Sequence, residues 1–65
     1  MEKWQKRLLS ERDSLKAKFE KLVIFNRSKR FEALVKGRDL LLRQESAMCE
    51  YLNILDRRIE IWEVE

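Results

Sequence analysis

Two apolar stripes of helical period, separated by one short interruption, constrain the fold of this chain more than any other feature. The first stripe comprises Trp4, Leu8, Leu15, Phe19 and Leu22, with Arg12 where one more apolar residue is expected. The second comprises Leu41, Met48, Tyr51, Leu52, Leu55, Ile59 and Trp62. This spacing predicts two helices, over about residues 2–25 and 38–62. Each would be about 36 Å long at 1.5 Å per residue.

The connector, residues 26–37, contains the signals of a turn. Ser28 suits the N-cap position of a short helical turn, and Gly37 suits the C′ position that stops it. Asp39 then serves as the N-cap or first-turn acid of the second helix. We therefore predict an all-α fold, a single antiparallel helical hairpin over residues 1–65, in which Trp4 meets Trp62 at the open end. One long helix and a parallel arrangement are the alternatives.

The chain is too short for two helices to enclose a core by themselves. It has 65 residues, one cysteine and no histidine, so neither an internal disulfide nor a metal site completes the fold. Several more apolar residues fall on flanking faces that one partner helix leaves uncovered: Leu9, Val23, Ile24, Leu40, Leu42, Ile54 and Ile61. We therefore predict assembly into a homo-oligomeric bundle, either a dimeric four-helix bundle or a higher cyclic oligomer.

The sequence contains few of the residue types and motifs that catalysis requires. Histidine is absent, there is one glycine, and no nucleophile elbow is present. Cys49 lies next to Glu50, which disfavours a reactive thiolate. We expect no enzyme, no catalytic residue, no metal and no cofactor. No stretch has the apolar length of a signal peptide or a membrane span, so we expect a cytoplasmic protein without a membrane partner.

Basic residues are concentrated in the first part of the chain, with 12 Lys or Arg against 6 Asp or Glu in residues 1–39, compared with 3 against 6 in residues 40–65. Their densest group, in the connector, comprises Asn26, Arg27, Lys29 and Arg30. Backbone amides and cations at the start of a turn resemble an anion site. An exposed loop kept in solution by its charge is the alternative.

Polar groups also occur along the apolar stripe of the second helix. Gln44 and Arg58 fall on what the pattern makes its inward face, and Tyr51 lies between them. A polar group there needs a partner, and one buried amide can fix the register of a bundle. The alternative is a pocket between subunits, in which the amide and the arginine bind a nucleotide and Tyr51 stacks on its base or ribose.

Residues 12–62 resemble a family of small phage helical-hairpin proteins, typified in crAss-like phages. The resemblance rests on a phenylalanine and leucine turn and on the apolar and polar spacing of the second helix: Phe25, Phe31, Leu34, Leu41, Leu42, Gln44, Met48, Tyr51, Ile54, Leu55, Arg58 and Ile59. That layout is similar to phage nucleotide sponges directed against the CBASS and Thoeris defence systems. The resemblance implies an oligomer that sequesters a cyclic nucleotide or cyclic ADP-ribose signal. Its pocket residues would be Gln44, Tyr51 and the basic residues of the connector.

The first hypothesis is thus a phage anti-defence protein that binds a phosphate-bearing immune signal without cleaving it. The second is a protein-binding inhibitor or adaptor whose apolar flank docks on a host factor. The third is a small RNA-binding four-helix bundle, whose affinity would fall steeply with salt.

Overall fold

A computed structural model describes residues 2–64, which form a long helical hairpin. Within this range the chain forms α1 (Lys3–Asn26), α2 (Lys29–Glu32) and α3 (Arg38–Val64). Met1 and Glu65, which the predicted domain includes, lie outside the described residues. The hairpin measures 48 × 15 × 14 Å. The prediction of an all-α fold with a long helix pair is confirmed.

α1 and α3 pack through one row of residues on each helix. The row on α3, here called the inner row, is buried or half-buried and comprises Leu41, Glu45, Met48, Leu52, Leu55, Ile59 and Trp62. The row on α1 comprises Gln5, Leu8, Arg12, Leu15, Phe19, Leu22 and Asn26. Both rows alternate steps of three and four residues, which is the period of a coiled-coil seam. Among the described side chains only Leu8, Leu52 and Leu55 are buried apolar residues, so the core is thin.

The open end of the hairpin is closed by two aromatic rings. Trp4 of α1 and Trp62 of α3 meet edge to face, with their ring centroids 5.4 Å apart and their planes at 76°. Such pairs contribute about 0.5–1.5 kcal/mol beyond the apolar area they bury. The predicted meeting of these tryptophans, and with it the antiparallel topology, is confirmed.

The connector begins as predicted and ends differently. Ser28 caps α2, because its Oγ accepts a hydrogen bond from the backbone amide of Phe31 at 3.4 Å. α2 ends at Glu32, so the prediction that Gly37 stops this turn is wrong. Gly37 has φ +86°, a left-handed conformation that glycine adopts without strain, and its carbonyl accepts the amide of Leu41 at 3.1 Å. It therefore leads the chain into α3.

Arg38, the first residue of α3, ties the connector together. Its guanidinium donates through Nε to the carbonyl of Leu34 at 2.8 Å and through Nη2 to the carbonyl of Glu32. The same group lies 5.8 Å from the ring centroid of Phe31. Carbonyls at the end of a helical turn lack hydrogen-bond donors within the turn. A cationic side chain that donates hydrogen bonds to these carbonyls therefore stabilises the turn.

The hairpin is more extended than a compact protein of its mass. Its accessible surface is 5584 Å² for 8.0 kDa. A compact monomer of that mass exposes about 4,450 Å². Its radius of gyration is 15.0 Å. A compact chain of this length has a radius of gyration of about 10.7 Å. The single chain thus leaves an unusually large surface uncovered.

Candidate functional site

An open groove between α1 and α3, halfway along the hairpin, is the candidate site. Its volume is about 210 Å³. Four residues of α1 and four of α3 line it: Arg12, Lys16, Phe19 and Glu20, and Cys49, Leu52, Asn53 and Asp56. Pockets for drug-sized ligands typically have about 300–1,000 Å³. The groove of one hairpin is therefore large enough for one ring system and its substituents, and too small for a whole dinucleotide.

Arg12 joins the two walls of the groove. Its Nη1 donates to Oδ1 of Asp56 on α3 at 3.2 Å, and its Nε donates to Oδ1 of Asp13 at 2.8 Å. Both bonds raise the pKa of Arg12 above its ordinary value, and the bond to Asp13 has the larger effect. The guanidinium therefore stays cationic. A guanidinium has five N–H donors, and the rest of them remain available to a ligand. The arginine that replaces an apolar residue in the stripe of α1 is thus a bridge at the edge of the groove.

The other lining groups supply complementary chemistry. Phe19 is half-buried and offers an aromatic ring, and Leu52 provides an apolar floor. Lys16 is exposed and makes no ion pair with any described residue, which leaves its ammonium for an anion. Asn53 adds an amide that both donates and accepts hydrogen bonds. A flat ring that carries a phosphate group matches this set, because the ring contacts Phe19 while the cations bind the phosphate.

Of the residues predicted to bind a ligand, Asn26 is engaged within the fold. It is 7% exposed, and its Nδ2 donates to the carbonyl of Leu41 at 3.3 Å and to Oε1 of Glu45 at 3.1 Å. Its Oδ1 is buried and has no hydrogen-bond partner among the described residues. Asn26 therefore fastens the end of α1 to α3. Its neighbours Arg27, Lys29 and Arg30 are exposed on the connector.

Gln44 and Arg58 do not lie on the inward face where the stripe placed them. Both are exposed, and the inward positions next to them belong to Glu45 and Ile59. Tyr51, assigned to the inward stripe, is also exposed, and its hydroxyl donates to Oε1 of Glu11. The physical reason is that each residue of a helix turns by about 100°, so the residue before an inward position lies on its flank.

The three polar residues of α3 are also far apart. Gln44 and Arg58 are separated by 14 residues. This corresponds to about 21 Å along a helix. None of the three lines the groove. Gln44 and Arg58 therefore do not share a pocket within one hairpin, and the role of the three as ligand-binding residues stays a prediction.

A family model described as Sequestin matches residues 2–61, which is nearly the whole chain. The chain belongs to the Sequestin family. The family name indicates a sequestering role, and the matched range includes the complete groove of this Sequestin. The crAss-like phage resemblance is a separate statement and stays a prediction. No curated protein and no solved structure is significantly similar to the chain.

In the part of the chain that the structure describes, no helix combines the length and the apolar character that crossing a bilayer requires.

Sequence reasoning missed the groove of this Sequestin. Arg12 stood out because it interrupts an apolar stripe, but nothing along the chain pairs it with Asp56, which lies 44 residues away. Lys16 and Asn53 looked like ordinary surface residues. The signal that could have found them is the antiparallel pairing itself, since the contact between Trp4 and Trp62 sets which residues of α1 and α3 face each other.

Proposed function

We propose that this Sequestin is a phage anti-defence protein that binds and sequesters a cyclic nucleotide or cyclic ADP-ribose immune signal without cleaving it. The observation that carries the proposal is the family match over residues 2–61, because it identifies a sequestering class. The groove supplies a place for one ring of the ligand and its phosphate group. The protein acts in the host cytoplasm as a homo-oligomer, and its partner there is the phosphate-bearing signal.

Binding without cleavage is consistent with the groups that line the groove. Hydrolysis of a phosphodiester needs a base and an activated nucleophile, and histidine is absent from the sequence. Asp56, the carboxylate on the α3 wall, is held by Arg12. Lys16, Phe19 and Asn53 are suited to recognition, so a bound ligand is held and protected.

The phosphate could bind in the groove or at the connector, and variants at each place distinguish the two positions. The groove predicts that Lys16→Glu weakens binding, because a lost hydrogen bond to a charged group costs about 1.5–3 kcal/mol, a factor of about 10 to 150. The matched control is Lys18→Glu, which makes the same change at an exposed residue of α1 outside the groove. The connector predicts instead that Arg27→Ala with Arg30→Ala abolishes binding while leaving helicity and assembly intact.

The experiment is a thermal-shift screen of the purified protein with cyclic di- and trinucleotides, cyclic ADP-ribose isomers and short RNA. A ligand at 100 times its dissociation constant stabilises the native state by about 2.7 kcal/mol. A shift with one cyclic nucleotide or ADP-ribose isomer, lost in Lys16→Glu and retained in Lys18→Glu, supports the groove. Loss only in the double connector variant places the ligand at the connector. No shift with any of the small ligands contradicts the proposed function.

A further inference from the structure

A second regular row of residues runs along α3 beside the inner row. This outer row has the same alternation of four and three residues and comprises Leu40, Gln44, Ala47, Tyr51, Ile54, Arg58 and Ile61. Every one of its members is exposed in the hairpin. Its large apolar members retain between 44% and 62% of their accessible surface. α3 therefore carries two coiled-coil seams, and α1 covers one of them.

We propose that the outer row is the surface on which a second copy of this chain docks, with the two α3 helices antiparallel. A seam of this period is covered by another helix whose exposed residues have the same period. The α3 helix of a second copy of this chain is such a helix. The occupant is thus a second Sequestin chain, and each copy offers the same surface, as in an interface with two-fold symmetry.

The two polar members of the row determine the orientation. A parallel pair places each residue beside its own copy, so two Arg58 guanidinium groups of like charge would meet in the seam. In an antiparallel pair centred near Tyr51, Gln44 of one chain lies close to the level of Arg58 of the other, because each is seven residues from Tyr51. That distance is about 10.5 Å on either side of the centre. The amide oxygen of Gln44 then accepts from the guanidinium of Arg58.

Side-chain sizes agree with the same orientation. Ala47 and Ile54 lie four and three residues from Tyr51 on opposite sides, so the antiparallel pair sets a small side chain near a large one. Leu40 and Ile61, eleven and ten residues from the centre, come together at both ends of the seam. Alternating small and large residues across a seam allows the two helices to interdigitate.

The area that the single chain leaves uncovered matches a dimer interface. The accessible surface of 5584 Å² exceeds that of a compact monomer of the same mass by about 1,100 Å². A standard protein interface removes about 800 Å² from each partner. Covering the outer row therefore brings the chain close to the surface of an ordinary folded protein.

Docking on the outer row leaves the groove open. Each member of the outer row directly precedes a member of the inner row, so with a turn of about 100° per residue the outer row lies about 100° to one side of the inner row. Three groove residues of α3, Cys49, Asn53 and Asp56, each directly follow a member of the inner row and lie about 100° to the other side by the same geometry. The two faces share no residue. The dimer does not depend on the proposed sequestration, and either can fail without the other.

The first test measures the mass of the assembly by light scattering coupled to size exclusion, in wild type and in two variants. We expect wild type to have twice the chain mass of 8.0 kDa or a multiple of that dimer. Ile54→Glu should weaken the dimer by at least about 100-fold, because it leaves an unpaired charge in the seam. The matched control is Leu42→Glu, since Leu42 is 49% exposed and Ile54 is 51% exposed. Leu42 lies outside the outer row, so its variant should remain dimeric.

The second test establishes orientation by disulfide formation. Cys49 is the only cysteine, so Cys49→Ala gives a background in which Gln44→Cys and Arg58→Cys are made separately. The antiparallel dimer predicts that the mixed variants form a disulfide-linked heterodimer while neither variant links to itself. Self-linking of each variant alone overturns the orientation. A monomeric wild type, or equal dissociation by Ile54→Glu and Leu42→Glu, overturns the interface. A wild type that is monomeric alone and associates through the outer row only with another protein also overturns it.

Discussion

Leu55 and Ile54 are neighbours in the sequence and lie in opposite environments. Leu55 belongs to the inner row and is fully buried against α1, whereas Ile54 belongs to the outer row and is 51% exposed. The two rows have the same period and nearly the same apolar content, and they differ in whether a partner helix is present. One hairpin therefore covers only one of the two apolar rows of α3.

The largest effect that separates the two rows should come from truncating these neighbours. Leu55→Ala leaves a cavity between α1 and α3 and should lower the free energy of unfolding by about 2–5 kcal/mol at every protein concentration. Ile54→Ala should change the free energy of unfolding little in dilute protein. Its effect should grow at higher protein concentration, where a larger fraction of the chains is dimeric. Urea denaturation followed by circular dichroism at several concentrations measures both. Equal effects in dilute protein would contradict the assignment of the rows.

The next largest difference should come from substituting one polar residue that contacts the inner row and one that belongs to the outer row. Asn26→Ala removes the hydrogen bonds to Leu41 and Glu45 and should cost about 1–3 kcal/mol, because buried polar groups lose their partner. Gln44→Ala changes an exposed residue of the outer row and should cost far less in dilute protein. The same denaturation series compares them, and a larger effect of Gln44→Ala there would show that the outer row is already buried in the single chain.

The open end of the hairpin should give a smaller effect. Trp4→Leu keeps an apolar side chain and removes the edge-to-face pair with Trp62, which should cost about 0.5–1.5 kcal/mol. Val35→Ala is the control, because Val35 is 93% exposed on the connector and should not change the melting temperature. Equal melting temperatures of the two variants would mean that the tryptophan pair adds nothing to the inner row.

The smallest effect on stability should come from the groove. Arg12→Gln breaks the ion pair with Asp56, and exposed pairs of this kind contribute about 0–1 kcal/mol. A double-mutant cycle with Asp56→Asn isolates the pair from other losses. A coupling energy well above that range would assign Arg12 a structural role in place of the proposed contribution to ligand binding.

The helical period was sufficient to predict the hairpin, its antiparallel topology and the contact of Trp4 with Trp62. The residue type of Ser28, at the interruption of that period, identified it as the cap of α2. The same kind of reasoning from residue type was wrong at Gly37, because a glycine that ends one turn and a glycine that starts the next helix have the same sequence signature. The distinction depends on where α2 stops, which Arg38 and the connector carbonyls determine together.

The site was harder to predict than the fold. Tyr51, Gln44 and Arg58 were assigned inward because an apolar stripe two residues wide does not reveal which edge faces α1. Lys16, Asn53 and Asp56 come together only once α1 and α3 are in register, and each alone resembles a solvated helix residue. The choice between adjacent rows is made by the whole set of contacts with α1.

Sequestration by this protein is tested most directly by a release assay. The protein is mixed with each cyclic nucleotide and cyclic ADP-ribose isomer, the free ligand is measured after filtration, and the protein is then denatured by heat and the ligand measured again. We expect that one ligand disappears from the filtrate and returns chemically intact on denaturation. Ligands that stay in the filtrate, or a ligand that returns cleaved, would contradict the proposed sequestration.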